Sequence, residues 1–474
     1  MVMLLREPAR PAAVREHRLA PWFAVGAVCF GAFMGQLDAS VVTLAFPALQ
    51  RQFGAGLAGV QWVSLAYLLT LIALLVPVGR WSDRFGRKLV YLYGFAVFAV
   101  ASAACGLAPA LPALVALRVL QAAGAAMLQA NSVALVTTSS PAAMRRAALA
   151  AQAAAQALGL AAGPVAGGLL VASAGWRWIF FVNVPVGVAA VLAGWYLLPR
   201  TRHFARRQGA DPAGLALLAA ATAGLLLAVS SLSGLGLPAG GVAVAVAAAV
   251  AAPLCLVWWE RRSAAPLVDL PLLTAAAPAL GGALCAYLVL FGPLVLLPQL
   301  LAPRGGSALR AGLLLVALPA GFGLAAVAAE RVLPAAWPNR RRCTAGGLLA
   351  CCCAAALGIP GPAALVVVAL ALLGVGLGVY IPANNAQIMA TVPARDAAVA
   401  GGMVNMTRGL GTALGVALVT LGLHAGARFG PDAAAWPAVA ALAAAALAAT
   451  WAGIRSTAGG AARPVTGTAP EGHR

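Results

Sequence analysis

The sequence predicts an all-α polytopic membrane protein, and three observations carry that prediction. Hydrophobic residues make up 63% of the 474 positions and charged residues 9%; soluble domains run about 45–50% and about 25%. The apolar residues stand in continuous runs of about 20, the length that crosses about 30 Å of hydrocarbon. Backbone polar groups in lipid must be satisfied within the segment, so such runs are helices. Barrel strands would alternate apolar and polar residues, and these runs do not.

Fourteen candidate spans follow in order: 20–46, 59–78, 89–108, 111–137, 146–172, 178–198, 213–233, 240–259, 276–298, 311–330, 343–358, 362–383, 400–424 and 433–454. The first comes after a basic start (Arg6, Arg10, Arg15, Arg18). It is too long for a signal peptide and lacks a clear A-x-A site. The second and third flank "GRWSDRFGRK" (79–88), which holds five charged residues in ten positions. The fourth opens at Pro112. The fifth and thirteenth contain weak stretches, and the eleventh is short. The eleventh carries "CCC" at 351–353. A metal cluster there would need His or carboxylate companions, which are not near, so no metal is expected.

A net charge of +20 raises the question of nucleic acid. Its distribution answers otherwise. With the N-terminus inside, 24 of the 31 Lys and Arg fall on that side, 5 on the opposite side and 2 within spans. This is the positive-inside pattern, and it predicts that both termini are cytoplasmic. No nucleic-acid partner is expected. Thirty Arg against one Lys, with much Ala and Gly, suggests a bacterial source and hence a bacterial plasma membrane.

The stretch 139–163 has an echo at 390–415: Pro141 aligns with Pro393, Gly159 with Gly411 and Gly163 with Gly415. This suggests two related six-span units, 20–198 (spans 1–6) and 276–454 (spans 9–14). Residues 1–19 are then a cytoplasmic N-tail. The segment 199–275 holds a basic cytoplasmic link and two inserted spans, and 455–474 is a small polar tail expected to be disordered. Repeated units of six spans are a transporter signature, with substrate bound between them.

The pattern Gly79, Asp83, Arg84, Gly86, Arg87, Lys88 between spans 2 and 3 resembles the loop signature of the major facilitator superfamily. A stop-transfer cluster would explain the arginines but not the aspartate or the glycines. "LDASVVTLAFPAL" (37–49), "QWVSLAYLL" (61–69) and "WRWIFFVNVPVG" (176–187) look like motifs of its fourteen-span drug:proton antiporter branch. "RVLQAAGAA" (118–126) resembles the span-4 motif, with Ala123 interrupting it. "GLAAGPVAGG" (159–168) resembles the antiporter helix motif, here Gly159, Gly163, Pro164, Gly167 and Gly168. The resemblance covers most of the N-terminal half and is looser beyond it; "AAERVLPAAWPNRRR" (328–342) is a worn copy of the first loop. It implies the major facilitator fold with 14 transmembrane helices, two six-helix halves plus two inserted helices. It also implies that the 79–88 loop staples neighbouring spans and helps control a conformational switch.

Asp38 is the one carboxylate in the interior of a span. A charge there costs at least about 2.5–3.5 kcal/mol, so a partner or a function is expected. Arg118 is the obvious cation: counted from Pro47 and Pro112, both sit about 9–14 Å from the outer face at 1.5 Å per residue. Together they are the expected proton-coupling pair; a static structural ion pair is the alternative. Gln121 and Gln129 lie on Arg118's face. The candidate substrate-cavity residues are Phe33, Met34 and Leu37, which share one face of span 1 with Phe30, together with Gln121, Asn131, Asn384, Asn405 and Arg408; helix packing is the other reading for the apolar three, and interhelical hydrogen bonding for Asn384, Asn405 and Arg408.

The function expected is proton-coupled export of lipophilic small molecules, drugs or secondary metabolites, by alternating access; it is not an enzyme. No Gly-x-x-x-x-Gly-Lys-Ser/Thr loop is present, so a proton gradient and no cofactor is expected to supply the energy. A metabolite exchanger or importer of the same fold is the rival. The partners expected are the substrate, protons and the bilayer, for a monomer.

Overall fold

The computed structural model describes residues 7, 10–201, 211–263, 270–334, 337–359, 361–391, 397–430 and 433–456. Pro393, most of the basic link and the tail from 457 lie outside the described residues, and so does the expectation of disorder there. The principal helices are α1 (Ala20–Val41), α2 (Trp62–Phe85), α3 (Arg87–Gly106), α4 (Leu111–Ser139), α5 (Arg145–Ser173), α6 (Asn183–Leu197), α7 (Pro212–Leu232), α8 (Ala239–Glu260), α9 (Leu270–Leu301), α10 (Ala317–Val332), α11 (Asn339–Ala356), α12 (Ala363–Thr391), α13 (Ala397–Gly426) and α14 (Trp436–Arg455).

Local sequence sets several boundaries. Asp211 caps α7, its Oδ1 accepting from Gly214 N at 2.8 Å, with Pro212 in the first turn. Gly86, at φ +109°, separates α2 from α3 in a conformation that other residues rarely adopt. The first span runs past its expected end at 46. A 3₁₀ turn (Val42–Ala45) leads into a further helix, Phe46–Phe53. Pro47 sits in that helix's first turn, where its missing N–H costs nothing. α12 likewise runs eight residues past its expected end and carries Pro382 inside it. Neighbouring helices can re-satisfy the backbone around a proline in a membrane bundle.

Thirteen helical segments among the described residues are long and apolar enough to cross a membrane. The expected eleventh span, α11, is not one of them, because Arg340, Arg341 and Arg342 lie within its first turn rather than before it. It is still an 18-residue helix, packed on α12 and α14.

Packing repeats along the chain. In the first six helices α1 packs on α4, α5 and α6, α3 on α4 and α6, and α2 on α4. In the last six α9 packs on α12, α13 and α14, α11 on α12 and α14, and α10 on α12. Each pairing recurs eight helices later. The contacts joining the two sets are also related: α2 meets α13 as α10 meets α5. α7 and α8 pack chiefly on each other, α7 reaching α2 and α13. The most apolar stretch of α8 is 11% buried against 72% for α9, so α8 lies at the edge of the bundle and α9 at its centre.

Candidate functional site

Deep in the first six helices, α1, α3, α4 and α6 bring polar side chains together. Arg118 Nη1 donates to Asp38 Oδ2 at 2.7 Å, and both residues are buried. Gln121 Nε2 and Asn183 Nδ2 donate to the other carboxylate oxygen at 3.0 and 3.1 Å. Arg118 Nε donates to the Val63 carbonyl at 2.9 Å, and Nη1 also meets Gln121 Oε1 at 2.5 Å. The Arg118 guanidinium lies 4.1 Å from the centre of the Tyr67 ring. Gln121 Nε2 also reaches Ser102 Oγ at 2.7 Å. Both oxygens of Asp38 are thus bonded, which is what a buried charge requires.

The expected pairing of Asp38 with Arg118 corresponds to a direct contact, and Gln121, expected on Arg118's face, bonds to both. Gln129 does not join them. Eleven residues on, it keeps the azimuth of Arg118 but lies about 16 Å along the axis, and it accepts from Arg408 Nη2 at 2.9 Å. Arg408 Nη1 donates to Gln156 Oε1 at 3.1 Å, so Arg408 of α13 ties to α4 and α5 across the two helix sets.

Two adjoining clefts lie there, of about 480 and 400 Å³ with the solvent at their mouths included. Gln36, Gln129, Asn405 and Arg408 line both; Tyr67 lines the first and Gln152 and Gln156 the second. Of the eight cavity candidates, only Asn405 and Arg408 face the clefts. Phe33, Met34 and Leu37 do not: α1 turns Gly31, Ala32, Gly35, Gln36 and Ala39 toward them. The backbone at Phe33 and Leu37 packs on α5 instead, and Met34 is buried in the core. Asn131 donates to Ser82 Oγ at 2.7 Å and Asn384 to the Ala279 carbonyl at 2.8 Å, each joining helices away from the clefts. Gln121 belongs to the ion pair.

The antiporter-like helix α5 lies against α1 with almost no space between backbones. A Cβ at Gly159 would strike the Phe33 carbonyl, at Gly163 the Ser40 side chain and at Gly167 that of Val41. A Cβ on Gly168 would meet the Ala308 carbonyl in the short helix Ala308–Leu315 before α10, and one on Gly312 would strike the Pro164 carbonyl. The repeat partners behave alike: Gly411 and Gly415 abut the Leu284 and Leu288 carbonyls of α9.

The expected 79–88 loop is mostly helix, since α2 runs on to Phe85 and α3 starts at Arg87 with only Gly86 between; across that junction Asp83 Oδ1 accepts from Arg87 Nε at 2.7 Å. Lys88 Nζ donates to the Trp195 and Leu198 carbonyls at 2.8 and 2.7 Å, fastening α3 to the end of α6. Arg87 N donates to Thr201 Oγ1 at 3.0 Å. Glu7 completes the junction, accepting from Thr201 N at 2.5 Å and from Thr201 Oγ1 at 2.7 Å. Gly86 supplies the turn, and Arg84 lies over the Phe85 ring at 5.2 Å. A Cβ on Gly79 would meet nothing within 4 Å.

Sequence reasoning passed over Tyr67, Ser102, Asn183 and Glu7. Tyr67 and Asn183 stand inside "QWVSLAYLL" and "WRWIFFVNVPVG", and polarity at those depths was the available signal. The cleft glutamines Gln152 and Gln156 had another, a spacing of four along one helix.

A bundle of apolar helices with a polar cleft between two sets of them defines a membrane transporter. The chain belongs to the Major Facilitator Superfamily, which matches residues 28–416. It is similar to the tetracenomycin C resistance and export protein of Streptomyces glaucescens, 31% identical over 84% of this chain and 75% of that protein. It is also similar to the riboflavin transporter RibZ of Clostridioides difficile, 29% identical over 84% of this chain and 87% of that one. An uncharacterised MFS-type transporter of Mycobacterium tuberculosis is 43% identical over 198 residues; the match covers 42% of this chain and only about a third (34%) of that protein. Among solved structures, a bacterial homologue of the human lysosomal transporter Spinster, inward-facing, superposes with a TM-score of 0.64 at 16% identity, covering 94% of this chain and 98% of that one. At that identity the likeness is one of fold.

Proposed function

We propose that this transporter exports lipophilic small molecules across a bacterial plasma membrane in exchange for protons. The observation that carries the reading is the buried Asp38–Arg118 pair beside a cleft that separates two helix sets. Tyr67 touches both, its ring against Arg118 and its side chain on the cleft wall. A carboxylate released from Arg118 can take a proton; re-forming the pair favours the charged form and sends the proton on. Substrate and proton then use one cleft at different stages of alternating access.

In this reading the protein has fourteen spans. α1–α6 and α9–α14 are the two halves, α7–α8 the inserted pair, both termini are cytoplasmic and the protomer works alone. The repeated pairings support the halves, and α11 counts as a span whose arginines sit at the cytoplasmic interface. Export is supported by the name of the tetracenomycin C relative. The riboflavin relative favours a second reading, a metabolite importer or exchanger.

The test is Asp38→Asn in proteoliposomes with an internal pH dye. The variant is expected to fold and to lose substrate-driven proton movement. Proton movement at the wild-type rate would overturn the coupling role. Reversing the imposed pH gradient reads direction: uptake with inward-moving protons would favour the importer.

A further inference from the structure

We infer that the cleft selects organic anions: amphipathic aromatic molecules that carry a carboxylate, phenolate or enolate. The inference rests on the reading of the cleft as the substrate site and specifies its chemistry. Among the described residues lining the two clefts, Arg408 is the only charged side chain. Its guanidinium bonds to Gln129 and Gln156, both uncharged amides, and reaches the Tyr287 phenol. Among the described residues, these neutral partners leave its charge uncompensated. Arginine keeps its proton throughout the physiological range and presents five N–H donors in a planar fork.

Asp38, the carboxylate buried in the first six helices, does not offset it. Asp38 is absent from both linings, and its charge is matched by Arg118 at 2.7 Å. The lining therefore carries a net positive charge set among uncharged amides and apolar side chains, inside a bundle where Coulomb interactions are less screened than in bulk water. A cation entering it would be repelled; an anion would find a fork shaped for planar oxyanions. The Tyr67 hydroxyl is buried and makes no hydrogen bond among the described residues, although its residue lines the first cleft. Phe291 and Leu71 supply apolar surface beside these groups.

Two dyes built on one xanthene skeleton, fluorescein (anionic) and rhodamine 123 (cationic), test this. Their equilibrium binding to the purified full-length protein in lipid nanodiscs is read by fluorescence anisotropy, with empty nanodiscs subtracted. Wild type is expected to bind fluorescein at least about tenfold more tightly, a difference of about 1.4 kcal/mol. Arg408→Gln should weaken fluorescein about tenfold and leave rhodamine 123 unchanged or tighter. Arg408→Lys should retain the anion preference in part, since a point charge remains without the fork. Preference for rhodamine 123, equal binding, no fluorescein binding, or an equal loss of both dyes in Arg408→Gln would overturn the inference. The wild-type comparison stands even if Arg408→Gln fails to fold. Protonophore-sensitive transport in vesicles is a separate reading. Charge-selective binding without such transport would defeat proton-coupled export alone; transport with no charge preference would defeat this inference alone.

Discussion

At the scale of residues, Asp38 and Arg118 are coupled through one short, buried ion pair. Removing a single partner from such a pair costs about 3–5 kcal/mol, because the other charge is stranded. Arg118→Gln should therefore lower the thermal midpoint of the detergent-solubilised protein by several degrees. Asp38→Asn should be milder, since Gln121 and Asn183 still face residue 38 and Arg118 keeps the Val63 carbonyl and the Tyr67 ring. Adding Asp38→Asn to Arg118→Gln should recover part of the loss. Strictly additive midpoints would mean that the two side chains do not interact.

Helices α1 and α5, and their repeat partners α9 and α13, are joined by glycine rather than by interlocked large side chains. At Gly159 and Gly411 the obstacle to a Cβ is a neighbouring backbone carbonyl, which cannot swing aside as a side chain would. Gly159→Ala and Gly411→Ala should each destabilise by about 1–3 kcal/mol, the usual cost of overpacking. Gly79→Ala, in open space inside α2, should be neutral or stabilising by about 0.5–1 kcal/mol. Fluorescence-detected size exclusion after heating compares the three. A loss at Gly79 equal to that at Gly159 would show that the stripe has no special packing role. The spacing of Gly159, Gly163 and Gly167 was legible in the sequence. The surface they meet was not, because small residues are common throughout the chain.

For the whole molecule, the contacts between the two helix sets gather toward the ends of α1 and α9 that lie away from the 79–88 loop. Gln299 Nε2 donates to Gln50 Oε1 at 2.9 Å there, and Gly312 lies against Pro164. Under the proposed topology this is the outer face, so the cleft is closed outward. A Gln50→Cys/Gln299→Cys pair, in a background with the eight native cysteines replaced, should cross-link on oxidation and stop transport until reduced. Undiminished transport in the cross-linked protein would show that these ends need not separate.

From its residues alone the sequence determined that the chain is a bundle of apolar helices, roughly where each begins, and which loop carries the family's signature. Run length, charge asymmetry and motif spacing are properties of the linear chain, so they could be read there. It also brought Asp38 level with Arg118, since depth follows from counting along two helices. Only the tertiary structure decided the azimuths: that α1 shows Gly31, Gly35 and Ala39 to the cleft rather than Phe33 and Leu37, that Gln129 serves Arg408 rather than Arg118, and that Asn183 closes the ring around Asp38. The reason is physical. A soluble helix marks its inner face by hydrophobicity. In a bilayer the lipid side is as apolar as the protein side, so packing and hydrogen bonds, not pattern, turn each helix to its place.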